Sequence, residues 1–231
     1  MDFYLALAPE ALPSPYGRAW LFCPFTKMPP DYFPENVLPV LTDSTPYGNQ
    51  NPEAIAELLL PLVQNVKGVV LDFQRKHQPG LQDFVEKLRA CLPCPVAVPP
   101  EYAGDSGPVF LPPIPPEEAP ESWLTPWKKR EIWLDFAPLA KTLILTSAGC
   151  TAQDGTQVSA PEFRDAALFC HYTVAVESPE RVSFSLWRTE EDLKSLVSRL
   201  ESCGVHSLLG LYPELTTCGF LPAPFSPGSD R

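Results

Sequence analysis

The sequence predicts an α/β fold of the (β/α)8 TIM-barrel type, on three observations. Apolar runs of strand length alternate with stretches of helical period along much of the chain, the pattern of parallel β/α units. The run Val69-Val70-Leu71 is continuously apolar, as a strand covered on both faces requires. The length, 231 residues, suits one barrel, reduced or irregular in places, better than two ordinary domains. The expected organisation is a single barrel domain over residues 1–218, with a β-hairpin inserted before the last helix, and a C-terminal tail over residues 219–231.

Residues 3–7, 19–23 and 37–41 read as early strands. Asn51 is placed to cap a helix with Pro52 at its first position. Ile55, Leu58, Leu59, Leu62 and Val63 then follow at helical spacing. Pro61 lies off that face and is expected to kink the helix. Residues 67–73 form the next strand, and Leu81, Phe84, Val85, Leu88 and Leu92 mark one face of the next helix. Short strands are expected at residues 95–98, 108–111 and 143–146. Residues 169–176 and 182–187 alternate in polarity and are joined by Glu177-Ser178-Pro179-Glu180, which predicts an antiparallel hairpin. Thr189 caps the last helix, whose stripe is Leu193, Leu196, Val197 and Leu200, and Gly204 ends it. Residues 205–212 form the last strand.

Hydrophobic residues make up 45% of the chain and charged residues 19%, enough to bury a sizeable core. The net charge of −11 opposes nucleic acid and anionic membranes as partners, whereas a neutral sugar is indifferent to that field. No uncharged apolar run reaches the roughly 18 residues of a membrane span. The start, Met1-Asp2-Phe3-Tyr4, has neither a basic region nor an apolar leader, so a cytoplasmic location is expected. Cys91 and Cys94 form one CxxC at an expected helix C-terminus, where no dipole activates a thiol. The seven cysteines are odd in number and widely spaced, unlike a disulfide framework. With no metal-ligand spacing, no Walker loop, no GxGxxG, no GxSxG and no HExxH, no cofactor and no metal are expected. The oligomeric state is open.

Four segments carry a resemblance. Val66-Lys67-Gly68-Val69-Val70-Leu71-Asp72-Phe73-Gln74 resembles the fourth-strand signature DxxDxDxE of the family 18 glycoside hydrolases, the chitinase-like barrels. Around it, the order of helix, signature strand, helix and a strand ending in Val98-Pro99 is similar to theirs. Pro138-Leu139-Ala140-Lys141-Thr142-Leu143-Ile144-Leu145 resembles the segment that opens the family's seventh strand, and residues 187–214 resemble the family's ending. The resemblance covers about half the chain.

It implies a site at the C-terminal end of the signature strand. Residues i, i+2 and i+4 of a strand share a face, so Val70, Asp72 and Gln74 are expected to point into the barrel. In the family that row is Asp, Asp and Glu. The Glu is the acid, and the middle Asp steadies the substrate's N-acetyl group, which attacks in the substrate-assisted exception to the two-carboxylate scheme. Here Gln74 stands where the resemblance puts the acid, and a carboxamide donates no proton as a general acid near neutral pH. Val70 removes a charge that would tune Asp72, and Tyr212 stands where the resemblance puts the family's eighth-strand tryptophan.

The chain therefore reads as a catalytically degenerate member that binds an oligosaccharide, an N-acetylated glycan, without hydrolysing it. Asp72, Gln74, Glu101, Tyr102 and Tyr212 are the candidate ligand-binding residues. Two other readings stand beside it. One is an active glycosidase with a relocated carboxylate, drawn from the strand-end residues Asp43, Glu101 and Glu214; in any sugar-binding reading Tyr47, Tyr102, Trp187 and Tyr212 are candidate stacking rings. The other is a scaffold protein without a small ligand, its mouth plugged by the proline-rich residues 112–120.

Overall fold

A computed structural model describes residues 1–10, 12, 15–22, 37–43, 51–73, 80–156 and 163–222. Cys23, Tyr47, Gln74 and residues 223–231 of the expected tail lie outside the described residues. In chain order the elements are β1 (Asp2–Ala6), β2 (Gly17–Phe22), β3 (Val37–Thr42), α1 (Pro52–Leu59), β4 (Val69–Asp72), α2 (Leu81–Cys91), β5 (Val96–Ala97), β6 (Val109–Leu111), α3 (Pro120–Leu124), β7 (Ile132–Asp135), β8 (Ala140–Thr146), β9 (Gly149–Asp154), β10 (Phe163–Asp165), β11 (Cys170–Ser178), β12 (Arg181–Trp187), α4 (Glu190–Ser202), β13 (Val205–Leu211) and α5 (Tyr212–Thr217). They fall into two units. The first holds residues 1–112, 127–135 and 205–211; the second holds residues 113–126, 136–204 and 212–231.

The first unit is the barrel. Its eight strands are ordered β5-β4-β3-β2-β1-β13-β7-β6, and every described pairing among them is parallel. A parallel bridge between Val98 and Val109 joins the two ends, and the Phe110 N–H donates to Val98 O at 2.7 Å. The ring therefore runs in chain order, the (β/α)8 topology that the alternating pattern predicts. Every strand sends a buried residue to one interior cluster: Tyr4 and Ala6, Ala19, Leu38 and Val40, Val70, Ala97, Phe110, Trp133, and Leu209.

Local chemistry sets the element ends. The Asn51 side chain accepts from the Glu53 and Ala54 N–H groups at 3.0 and 3.4 Å, with Pro52 at the first helical position. Pro61 does not kink α1. The helix stops at Leu59: Leu60 still has helical dihedrals (φ −47°, ψ −47°), but Pro61 has no N–H to carry the ladder on, and Leu62 and Val63 are buried beyond its end. The loop before β6 is tied by two arginines. Arg130 donates to the carbonyls of Ala103, Gly104, Ser106 and Gly107, and Arg89 to those of Ala103 and Ser106.

The structure corrects the expected seventh strand. Residues 143–146 belong to no barrel strand; β7 is Ile132–Asp135. That run is only four residues long and follows Lys128-Lys129-Arg130-Glu131, so its strand character is masked by the charges before it. Residues 140–146 form β8 of the second unit instead, where β12 and β9 flank it antiparallel. The expected hairpin is present as β11 and β12, inside a five-stranded antiparallel sheet ordered β10-β11-β12-β8-β9. In α4, Thr189 and Asp192 form a capping box, two orphan end groups satisfied reciprocally. The described start of the expected tail is packed: Leu221 is buried and its N–H donates to Leu215 O at 3.0 Å.

Trp133 fills the barrel interior beside Gly68. A Cβ at Gly68 would lie 2.6 Å from the Trp133 ring and 2.9 Å from Pro95 O. Gly68→Ala is expected to lower stability by about 1–3 kcal/mol, the cost of overpacking, read as a drop in the denaturant midpoint at unchanged slope.

Candidate functional site

Chemistry in a (β/α) barrel belongs at the C-terminal rim of its strands, and alternation defines that rim here. Two residues beyond the interior positions Val40, Val70 and Trp133 come Thr42, Asp72 and Asp135, on the same side of their strands. Leu21 and Leu211 pack against the interior cluster from β2 and β13. The described rim is thus apolar in part and carries two carboxylates, with Thr42 in register beside Asp72. Phe73, of opposite parity, turns toward α2, its ring 6.4 Å from that of Phe84.

Asp72, Glu101 and Tyr102 all lie in the barrel unit. Tyr102 ends a single 3-10 turn after β5, is buried, and meets Phe73 edge-on at 6.3 Å. Burial pushes its hydroxyl pKa up, and the charges of Glu101 and Asp43 add to the shift. Glu101 is exposed. Asp43 is buried. Tyr212 belongs to the second unit, where its ring is buried and its hydroxyl donates to Pro222 O at 3.4 Å. Sequence reasoning missed Asp135. The signal was there: Leu134-Asp135-Phe136 repeats the tripeptide Leu71-Asp72-Phe73.

The second unit contains a cavity of about 610 Å³, lined in part by Leu139, Asp154, Trp187, Arg188, Glu214 and Cys218. Glu214 is exposed there, and Trp187 is buried with His171 stacked on it at 6.4 Å. Arg188 is buried. It donates to the carbonyls of Ile114 at 2.6 Å, Pro115 at 3.1 Å and Leu168 at 3.4 Å. Its Nε, like Glu117 Oε2, has no hydrogen-bond partner among the described residues. Burial pushes the guanidinium pKa down to about 10, so it keeps its charge at neutral pH. Among the described residues no group of three or more His, Cys, Asp or Glu side chains could hold a metal, and burial raises the pKa of the Cys94 thiol rather than activating it.

Beside the cavity's Trp187, Asp192 gathers a buried network. Its carboxylate, with no exposed surface, accepts from Arg164 Nε at 3.0 Å and from the Thr189 N–H and hydroxyl at 3.1 and 2.9 Å. His171 Nδ1 lies 2.6 Å from it. Burial alone would raise the carboxyl pKa; the hydrogen bonds from Thr189, Arg164 and His171 outweigh it and hold the group below its usual range.

The chain is similar in structure to several solved proteins. A GH18 chitinase from Cycas revoluta, in complex with (GlcNAc)3, aligns at 12% identity and a TM-score of 0.43, over 76% of this chain and 75% of that one. The spore cortex-lytic enzyme SleL of Bacillus megaterium QM B1551 aligns at 12% identity and a TM-score of 0.37, over 75% of this chain. This chain spans 55% of the SleL chain. A chitinase from Chromobacterium violaceum ATCC 12472 aligns at 12% identity and a TM-score of 0.36, over 77% of this chain and 75% of that one. No protein-family profile and no curated protein sequence matches the chain. Among the described residues no helix is long and apolar enough to cross a membrane.

Asp192→Ala removes the partner of His171 and Arg164 and is expected to cost about 1–3 kcal/mol at neutral pH, the worth of hydrogen bonds to a charged group, since Arg164 is 41% exposed and can return to water. A carboxyl with a lowered folded pKa stabilises fully above its unfolded value of about 3.9 and loses that contribution as pH falls below it. Denaturant unfolding of the two proteins should therefore differ most at pH 7 and converge on acidification.

Proposed function

We propose that the barrel rim binds a carbohydrate, an N-acetylated oligosaccharide, without hydrolysing it. The observation that carries this reading is the inward row of β4. Val70 lies in the interior cluster, Asp72 follows at the strand's end, and the sequence continues to an amide, Gln74, two residues on. An ionised carboxylate accepts hydrogen bonds from sugar hydroxyl or acetamido groups, and an amide both donates and accepts. Neither supplies the acidic proton that glycosidic cleavage needs, whose loss costs about 10²–10⁴ in rate. The chain's net charge of −11 leaves a neutral glycan free to approach where an anion is repelled. Asp135 adds a second rim carboxylate and so a second acceptor.

Calorimetric titration with chito-oligosaccharides and with muropeptides is expected to give saturable binding to one of the two, with no product released over the same period. Asp72→Ala should weaken that binding about 10-fold or more, the worth of a hydrogen bond to a charged group. Flat titrations across both series would remove the proposal. So would turnover of an aryl-glycoside panel, and turnover abolished by Glu101→Gln would transfer the chemistry to a relocated carboxylate.

A further inference from the structure

The register of the antiparallel sheet sorts its side chains onto two faces, because directly paired residues point the same way. One face is formed by Phe163 and Tyr172, Val174 and Phe184, Val176 and Val182, then Leu143 with Ala152 and Leu145 with Cys150. The other carries Thr142, Ser183, Ser185 and Thr173, together with Ile144, Ala175, His171 and Trp187. An antiparallel sheet ordinarily buries its apolar face within its own chain. Here the helix contact runs to the second face, through His171 and Asp192 of α4. On the first face Cys170 and Leu186, at one end, are buried, and the rest, toward Val176 and Leu145, is half-buried or exposed. Val176 is 71% exposed, Phe163 49% and Leu145 42%. The rings of Phe163, Tyr172 and Phe184 form a continuous strip across three strands, with centroids 5.3 and 6.4 Å apart.

We propose that a second copy of this chain covers this face, the two sheets packing across a two-fold axis. The size of the face argues for it. Strands β8 and β12 are seven residues long, and five strands at about 4.8 Å spacing and about 3.4 Å per residue make a sheet roughly 24 Å on each side. Allowing for the end that Arg188 and the carbonyls of Ile114 and Pro115 close off, two such faces remove roughly 1,000 Å² from water, the lower bound for specific association. Two twisted antiparallel sheets stack face to face about 10 Å apart, and a self-complementary patch closes at a dimer.

Charge selects the same partner. At paired positions of this face the charged residues are Lys141 and Asp154, which neutralise each other at 2.6 Å, and Asp165, whose carboxylate accepts from the Ala167 and Leu168 N–H groups. The face therefore offers a charged ligand no counter-charge, and a sugar few hydrogen-bonding groups beyond the Tyr172 hydroxyl. An identical apolar sheet asks for neither.

Sedimentation velocity on the full chain over a concentration series reads this directly. A reversible monomer–dimer equilibrium is expected, strengthened by added salt because two bodies of −11 charge repel and salt screens them. Val176→Arg, at a position exposed enough to leave the monomer's thermal midpoint unchanged, places a charge in the interface twice and should raise the dissociation constant about 100-fold or more. Leu145→Arg should act alike from another strand. A wild-type chain that stays monomeric up to about 200 µM, a weak limit for any specific contact, overturns the proposal, including one that instead partitions onto insoluble polysaccharide. So does a dimer that both arginine variants leave intact.

Discussion

One hydrogen bond, Phe110 N–H to Val98 O at 2.7 Å, with the bridge between Val98 and Val109, turns eight parallel strands into a ring. Without it β5 and β6, of two and three residues, would be the bare edges of an open sheet, each presenting unpaired backbone groups. Closure also creates an interior that must be filled. It is filled by contrast of size: Trp133, Tyr4 and Phe110 stand among Ala6, Ala19 and Ala97, and Gly68 gives way to the Trp133 ring. With the interior so packed, the described carboxylates on the inward rows of β4 and β7, Asp72 and Asp135, stand at the strand ends.

The second unit depends on a different constraint, the accommodation of buried charge. Arg188 and Asp192 bracket the turn from β12 into α4, and both are buried. The cation is met by three backbone carbonyls and the anion by a guanidinium, an imidazole and the Thr189 donors. Taking either charge out of water costs several kcal/mol unless its partners are well aimed. The groups that aim at them come from residues 114–115, 164, 168 and 171, so the turn ties together segments far apart in sequence. The Thr189 capping box was legible because its signal is local. The partners that make Asp192 the hub of a network were not, since they are supplied by β10 and β11.

The same division explains what the sequence revealed of the barrel. Asn51 and Pro52, the helical face through Leu88, and the apolar run of β4 announce themselves within a few residues, and the structure keeps them. The seventh strand did not, because four residues behind a cluster of charges carry too little pattern, while residues 140–146 carry enough for a strand and nothing to say in which sheet. Pairing decides that, and pairing is non-local. At the rim, Asp72 was found through its row, Val70 then Asp72, which a single strand displays. Asp135 needed β7 to be identified first.

The inward row of β4 also bears on the binding role proposed for this rim. A carboxylate at position 70 would sit in the barrel interior, among Tyr4, Val40 and Ala97, and burying it there without a partner is costly. Valine removes that cost and with it the charge that could hold a neighbouring carboxyl protonated, because a like charge nearby is one of the few ways to raise a carboxyl pKa. Asp72 is then the first polar group on its row, with nothing of its own kind below it in the strand. A carboxylate that follows an apolar residue on its inward row offers hydrogen-bond acceptors at the rim, and that is the group on which the proposed binding of a neutral polyol draws.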